Sequence, residues 1–143
     1  MNKKAELFQE FLKDKNINCF QVMEISEDKL NTVVFRSSIA VEGQELPTLV
    51  IVDSSIYTMV RVRVANAALK AGNETELTKV INKLNAQYKV FKYYFAEDGA
   101  LILDSCLLQK PEEMDGAMVY TVLDVIVQHL LAEYKNIMKQ VWA

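Results

Sequence analysis

The chain has 143 residues, a length typical of one domain that buries roughly two thirds of its unfolded surface without disulfides or a metal. Hydrophobic residues make up 51% of the chain and charged residues 24%, which excludes the hydrophobic-poor, highly charged composition of disordered proteins. The net charge of -3 and the scattered positions of the 16 basic residues argue against nucleic-acid binding, which uses clustered lysines and arginines. We therefore expect a single ordered domain over residues 1–143.

The cysteines and the N-terminal segment indicate a reducing compartment. Cys19 and Cys106 lie far apart with no CxxC spacing, and a domain of this size does not need a disulfide, so we expect reduced, buried thiols. Residues 1–16 lack the continuous apolar stretch of a secretory signal because charged residues recur every few positions. The sequence predicts a cytoplasmic protein.

The first third of the chain predicts a helix followed by two strands. Leu7, Phe8, Phe11 and Leu12 recur at helical spacing, which indicates an amphipathic helix over residues 3–15. Residues 19–25 and 32–41 are rich in β-branched and aromatic side chains and are separated by a polar turn. We expect two antiparallel strands there, with a second turn at residues 42–44.

Two further strands are predicted before the next helix. Residues 49–53 form a continuous apolar stretch, which suits a strand covered on both faces, whereas residues 56–64 alternate. Alternation puts Ile56, Thr58, Val60, Val62 and Val64 on one face, which we expect to be core, and Tyr57, Met59, Arg61 and Arg63 on the other. Asp53, Ser54 and Ser55 supply turn chemistry between the two strands.

A helix and a hairpin follow. Asn73 and Glu76 have the spacing of a capping box, and the following apolar residues trace one helical face. Strands are predicted at residues 90–96 and 100–108, because Asp98 and Gly99 between them can adopt the positive φ angles of a tight hairpin.

The C-terminal third predicts one long helix over residues 111–141. Pro111 suits a first helical turn, and Glu112 and Glu113 favour the positive end of the helix dipole. The middle of this helix is apolar around most of its circumference, so we expect burial on more than one side, and we judge it too short and too interrupted to cross a bilayer. The element order α-β-β-β-(β)-α-β-β-α predicts an α+β fold with helices packed on an antiparallel sheet.

The helix end around Ile81 to Asn85, the aromatic strand KVFKYYF, the acidic-Gly turn, the strand ALILDSCLL and the apolar closing helix together resemble the YbjN family of bacterial sensory-transduction regulators. The resemblance covers the element order of the whole chain and is strongest from the second helix onward. It implies a fold like that of type III secretion chaperones. It also implies a cytoplasmic, dimeric interaction module that holds another protein, with no catalytic residues and no cofactor.

No residue pattern in the sequence indicates an enzyme. His129 is the only histidine, and we expect it to be a partly buried helical residue with one hydrogen bond rather than a general base or metal ligand. Five carboxylates lie at predicted turns, strand faces and helix starts, and their spacing does not indicate a hydrolytic pair: Asp53, Asp104, Glu112, Glu113 and Asp115. The sequence also has no phosphate-binding loop and no metal-binding motif. We therefore predict no catalysis, and an enzyme that uses the scattered carboxylates is the least favoured alternative.

The outward set Tyr57, Met59, Arg61 and Arg63 is the candidate partner surface, because Tyr, Met and Arg are enriched at protein interfaces. The competing interpretation is a mixed solvent face. Tyr93 extends the set, or Tyr94 does if the hairpin register differs by one residue. The surplus of apolar surface predicts a protein-binding regulator or chaperone-like adaptor that acts as a homodimer and holds an unidentified client. The alternative is a small-ligand sensor with an apolar molecule between the sheet and the closing helix.

Overall fold

A computed structural model describes all 143 residues and has the predicted architecture of three helices on one antiparallel sheet. The elements in chain order are α1 (Lys3–Asp14), β1 (Gln21–Glu24), β2 (Val33–Val41), β3 (Gln44–Val52), β4 (Tyr57–Ala65), α2 (Glu74–Gln87), β5 (Lys92–Phe95), β6 (Leu101–Leu108) and α3 (Gly116–Val141). The α+β prediction and its element order are thus confirmed, with the fourth strand present.

The sheet has six strands in the order β1-β2-β3-β4-β6-β5, all antiparallel. The β2–β3 hairpin closes with two residues of positive φ, Glu42 at 49° and Gly43 at 76°, as a two-residue turn matched to strand twist requires. Gly99, at a φ of 82°, closes the β5–β6 hairpin at the predicted position. The chain enters β5 at the sheet edge and returns along β6, which lies beside β4.

One face of the sheet packs against the helices and forms a single core of 29 buried hydrophobic residues, which supports one domain. The predicted core face of β4 is confirmed for Val60, Val62 and Val64, each no more than 2% exposed, whereas Ile56 lies before the strand and is 45% exposed. From α3, Ile126, Leu130 and Ile137 meet this face. We call it the inner face, and the opposite one the outer face.

Strand β3 corrects the expectation of a strand covered on both faces. Its side chains alternate, with Val50 and Val52 fully buried on the inner face and Leu49 and Ile51 only half-buried on the outer face. The continuous apolar stretch arose because the outer face of this strand also carries aliphatic residues. Half-burial comes from neighbouring outer-face side chains rather than from a helix.

The predicted capping box at Asn73 is wrong. The Asn73 side chain makes no cap bond to its own helix; it accepts from Lys70 N at 2.8 Å and donates to Ala68 O at 2.8 Å and Val141 O at 2.9 Å. The buried amide therefore joins the loop before α2 to the last residue of α3. A capping-box pattern is local and could not reveal this long-range use.

Helix α3 begins at Gly116, five residues later than predicted. Pro111–Glu113 forms a separate 3-10 turn, and Asp115 caps the helix by accepting from Met118 N at 3.1 Å. The helix has 26 residues, so the expectation that it is too short for a bilayer is wrong: by length and composition alone it qualifies as a membrane span, with 39% of its most apolar stretch buried inside the protein. Core helices of soluble proteins share these properties.

Candidate functional site

The outer face of the sheet carries the four residues that the sequence singled out. Strand alternation puts Tyr57, Met59, Arg61 and Arg63 side by side on β4, and none of them is buried; Tyr57 is 52% exposed. The hairpin register adds Tyr94, which is opposite Ile102 of β6 and 42% exposed, whereas Tyr93 points into the core. Tyr94, rather than Tyr93, extends the set.

The register of the sheet aligns apolar and sulfur-containing side chains straight across five strands of the outer face. We call this set the apolar row; its members, each paired with the next, are Met23, Val34, Ile51, Met59 and Cys106. The pair Tyr57 and Leu108 lies beside the row, and Leu108 is 70% exposed. Adjacent strands are about 4.8 Å apart, so the row spans about 19 Å of surface.

An ion pair stiffens the centre of the outer face. The Arg61 guanidinium donates to both oxygens of Asp104 on β6, from Nε and Nη2, at 2.8 Å each. The planar, two-bond geometry is the strong form of an arginine-carboxylate contact. The hydrogen bond to Asp104 raises the pKa of Arg61, and burial raises the pKa of neighbouring Tyr94, so both side chains keep their protons.

Three arginines surround a groove on the same face, with a volume of about 360 Å³. We call it the arginine groove; Arg36, Arg61 and Arg63 line it above the apolar side chains Pro47, Leu49 and Ile102. Arg63 donates to Asn66 and Asp98, whereas Arg36 of β2 has no polar partner. The sequence alone did not identify Arg36 as part of this surface. Once the strand pairing is known, Arg36 is found two strands away from Arg61 on the same face.

His129 makes one hydrogen bond, as the sequence predicted, but it lies in the core rather than at the predicted partly buried position. Its Nε2 is 2.7 Å from the Tyr93 hydroxyl, its Nδ1 has no partner, and the rings of Tyr88 and Phe91 lie 4.4 Å from it. Burial lowers the pKa of His129, with a smaller opposing effect from Glu133. The imidazole is 5% exposed, so it does not face an open site.

The expectation of buried thiols is wrong: both cysteines are free and exposed. Cys106 lies on the outer face of β6, together with Asp104 and Leu108. Cys19 lies in the loop before β1, with its Sγ 3.9 Å from the Tyr120 hydroxyl. Partial burial raises the pKa of Cys106, which disfavours the thiolate.

The structure does not bring the five carboxylates together into a hydrolytic pair or a metal site. Asp53 accepts from Ser55 in a turn, Asp104 pairs with Arg61, and Asp115 caps α3. Glu112 and Glu113 belong to the 3-10 turn. No group of three or more metal-ligating side chains is present.

Lys4 is a buried polar residue that no sequence pattern indicated. Its side chain is fully enclosed, and Nζ donates to Tyr57 O at 2.8 Å and to Thr58 Oγ1 at 3.2 Å. Burial lowers the pKa of Lys4, and the charge of Asp53 partly opposes this effect. The lysine thereby fixes α1 to the start of β4, where the candidate surface begins.

No model of a known protein family matches this chain, and no curated protein matches its sequence. The likeness to the YbjN family therefore stays a prediction from residue pattern.

Proposed function

We propose that this chain is a non-catalytic protein-binding module, a regulator or chaperone-like adaptor of the YbjN kind, which works in the cytoplasm as a homodimer and holds a client protein. The single observation that supports this proposal is that a complete face of the sheet lies outside the helices and carries apolar side chains. Soluble monomers rarely leave large apolar patches uncovered.

The size of the outer face suits a protein interface. Three strands of nine residues, one of eight and two of four, at about 3.3 Å per residue and about 4.8 Å between strands, give about 700 Å². A standard interface uses about 800 Å² of each partner. The apolar row supplies an apolar centre, and the flanking arginines and Asp104 supply the polar rim that such interfaces have.

Another set of exposed apolar side chains lies on the outward side of α3, where Met118, Val125 and Leu131 are 49%, 37% and 49% exposed. Polar residues such as Asp124 and Gln128 separate these side chains. We therefore favour the outer face as the dimer surface, and the outward side of α3 provides a matched control.

No observation favours the small-ligand alternative. The side chains between sheet and closing helix fill that space, with Val60, Ile126 and Leu130 at 0% exposure. The other grooves lie at the surface, with volumes of about 520 Å³ beside Leu108, about 520 Å³ beside Thr78, about 410 Å³ beside Glu10 and about 310 Å³ beside Trp142.

Light scattering after size exclusion, over micromolar concentrations, tests the proposal with two matched variants. We expect a dimer for the native chain, a monomer for Met59→Asp on the apolar row, and a dimer for Leu131→Asp on α3. Circular dichroism confirms that both variants fold. A monomeric native chain, or a dimer lost only in Leu131→Asp, would contradict a dimer built on the outer face.

A further inference from the structure

We propose that the open edge of β6 binds an extended segment of the client protein, which pairs with Cys106 and Leu108 as an added strand and donates one side-chain hydrogen bond to Gln109. This inference rests on the proposed protein-binding function and names where and in what conformation the client is held. An added strand lies beside the sheet, in its plane, and leaves the outer face to the second copy.

Strand β5 is too short to cover its neighbour β6. It pairs only with the first half of β6, from Leu101 to Asp104, and the pairing ends where Lys92 is opposite Asp104. On its other side, β6 pairs with β4 as far as Leu108. The second half of β6 therefore has a neighbouring strand on one side only.

The alternation of the ladder shows which main-chain groups face the open side. Gln109 N donates to Ile56 O at 2.7 Å, so every second residue back from Gln109 bonds to β4. Cys106 and Leu108 lie between these residues and direct their N–H and C=O groups away from β4. No main-chain group of the loop before β5 bonds to them. Two donors and two acceptors in register are a template for a further strand.

A buried acceptor without a partner lies in the groove along this edge. The groove has a volume of about 520 Å³ and is lined in part by Gln109, which is 7% exposed. Its Nε2 donates to Asp115 O at 3.3 Å, which fixes the orientation of the amide, whereas its Oε1 has no hydrogen-bond partner. Buried polar atoms are nearly always paired, so Oε1 calls for a donor supplied by a ligand.

The sides of the groove are apolar and partly exposed. Val90 lies before β5 and Met118 in the first turn of α3, and they are 42% and 49% exposed. Leu107 and Val122 complete the apolar lining. Exposed strand edges usually carry charged residues or proline, which prevent pairing, and residues 105–108 have neither. The groove therefore suits an extended chain whose alternate side chains are apolar.

The opposite edge of the sheet lacks this combination. Strand β1 pairs only with the first half of β2, which leaves an open stretch there as well. No buried side-chain atom without a partner lies along that stretch, since the other such atom, Nδ1 of His129, lies in the core. The edge of β6 is therefore the site that we assign to the client.

Amide hydrogen exchange of the full chain, followed by NMR, tests the pairing. The probe is an acetylated and amidated octapeptide that alternates threonine with valine and has asparagine in place of one central valine. Near saturation, we expect it to slow exchange of the Cys106 and Leu108 amides at least about tenfold, because these N–H groups become bonded. The amide of Leu107, which already bonds to β4, should change little. Unchanged exchange at Cys106 and Leu108 overturns the inference.

Two methylated forms of the probe separate main-chain pairing from apolar contact. One carries N-methyl groups on its threonines, and the other carries them on its valine and asparagine residues. In an extended chain each form loses the N–H groups of one side only, and only one side faces β6. We expect the two affinities to differ at least about tenfold in fluorescence anisotropy. Equal affinities would show that the probe does not bind as a strand.

A matched pair of variants on α3 locates the site. Met118→Asp introduces a carboxylate into the groove, and Leu131→Asp makes the same kind of change on the same helix, outside the groove, at a residue that is also 49% exposed. We expect at least about a tenfold loss of probe affinity in Met118→Asp and none in Leu131→Asp. Equal effects in the two variants overturn the inference.

A double comparison tests the role of Gln109. The native chain should bind the asparagine probe more tightly than a probe with leucine at that position, because only asparagine supplies a donor to Oε1. Gln109→Leu removes the acceptor and should abolish this preference. A preference that persists in Gln109→Leu, or is absent from the native chain, contradicts the assigned bond.

Light scattering on the same samples separates this inference from the proposed function. Met59→Asp, which we expect to be monomeric, should bind the probe about as tightly as the native chain, since Met59 lies on the outer face and not in the groove. A dimeric native chain that does not bind the probe rejects only the edge site. A probe that dissociates the native dimer would mean that the second copy occupies the edge, which also overturns the inference.

Discussion

At the scale of single residues, strand alternation was the strongest guide to the candidate site. The period of two along β4 separated the core valines from Tyr57, Met59, Arg61 and Arg63 before any pairing was known. The same rule applied to β6 would have put Cys106 with Asp104 and Leu108, but residue-type preference suggested a buried thiol. Lys4 was beyond prediction, because its partners lie more than 50 residues away in the chain.

The buried imidazole of His129 predicts that stability falls in mild acid. Burial lowers the pKa of His129 below its ordinary 6.5, so the folded state binds this proton less readily than the unfolded state. The contribution is complete above about pH 6.5 and is lost as the pH falls from there through the folded-state pKa. Urea unfolding at several pH values between about 5 and 7.5 measures this loss.

The control for His129 is a double variant. Replacing His129 alone would leave the buried Tyr93 hydroxyl without its partner, at a cost of about 1–3 kcal/mol. Tyr93→Phe with His129→Leu removes both polar groups, and its stability should vary less between pH 5 and 6.5 than that of Tyr93→Phe alone. Identical pH profiles for these two variants would exclude His129 as the titrating group.

At the scale of elements, the sequence predicted every helix and strand but misjudged some of their ends; β3, for example, begins at Gln44 rather than at residue 49. The hairpin turns at Gly43 and Gly99 were predictable because a tight turn requires residues with positive φ, which glycine adopts readily. The start of α3 and the role of Asn73 could not be predicted, because contacts with distant segments determine them. Local chemistry therefore identified the elements, and tertiary contacts set their boundaries.

Asn73 should contribute much more to the stability of the fold than Glu76, its predicted capping partner. Asn73→Ala leaves the buried carbonyls of Ala68 and Val141 without their donor, so we expect the free energy of unfolding to fall by about 3 kcal/mol. Glu76→Ala removes an exposed carboxylate paired only with Lys79 and should cost less than about 0.5 kcal/mol. Equal costs in urea denaturation would instead favour a capping box.

Gly116 should resist the substitution that usually stabilises a helix. Gly→Ala in a helix ordinarily gains up to about 1 kcal/mol. A Cβ at Gly116 would lie 2.4 Å from Cγ and 2.8 Å from Cβ of Phe11, too near the backbone of α1 for the ring to turn aside. We expect Gly116→Ala to destabilise by about 1–3 kcal/mol in thermal or urea unfolding.

A double variant attributes the Gly116 effect to the contact between α1 and α3. With Phe11→Ala in place, the added methyl has room, so Gly116→Ala should cost much less than it does in the native chain. Additive losses would show that the α1–α3 contact is not the cause.

At the scale of the whole molecule, the helices occupy one side of the sheet and leave the other to solvent. The sequence anticipated this surplus, because two short helices and one long helix cannot cover both faces of six strands. It could not anticipate the apolar row or the arginine groove, which exist only when side chains from three to five strands are brought into register. The candidate surface is thus a product of pairing rather than of any one segment.

If that surface holds two copies together, melting must depend on protein concentration. A partner that binds only the folded chain stabilises it by mass action, and each tenfold rise in concentration adds about 1.4 kcal/mol per dimer, or about 0.7 kcal/mol per protomer. For a chain of 143 residues this raises Tm by about 2 °C.

Calorimetry over about a hundredfold range of protein concentration should therefore show a rise of about 4 °C in the native chain and in Leu131→Asp. Met59→Asp should melt at one temperature throughout, because a carboxylate in the apolar row would have to be desolvated to re-form the interface. A constant Tm in the native chain would mean that the outer face does not hold a second copy.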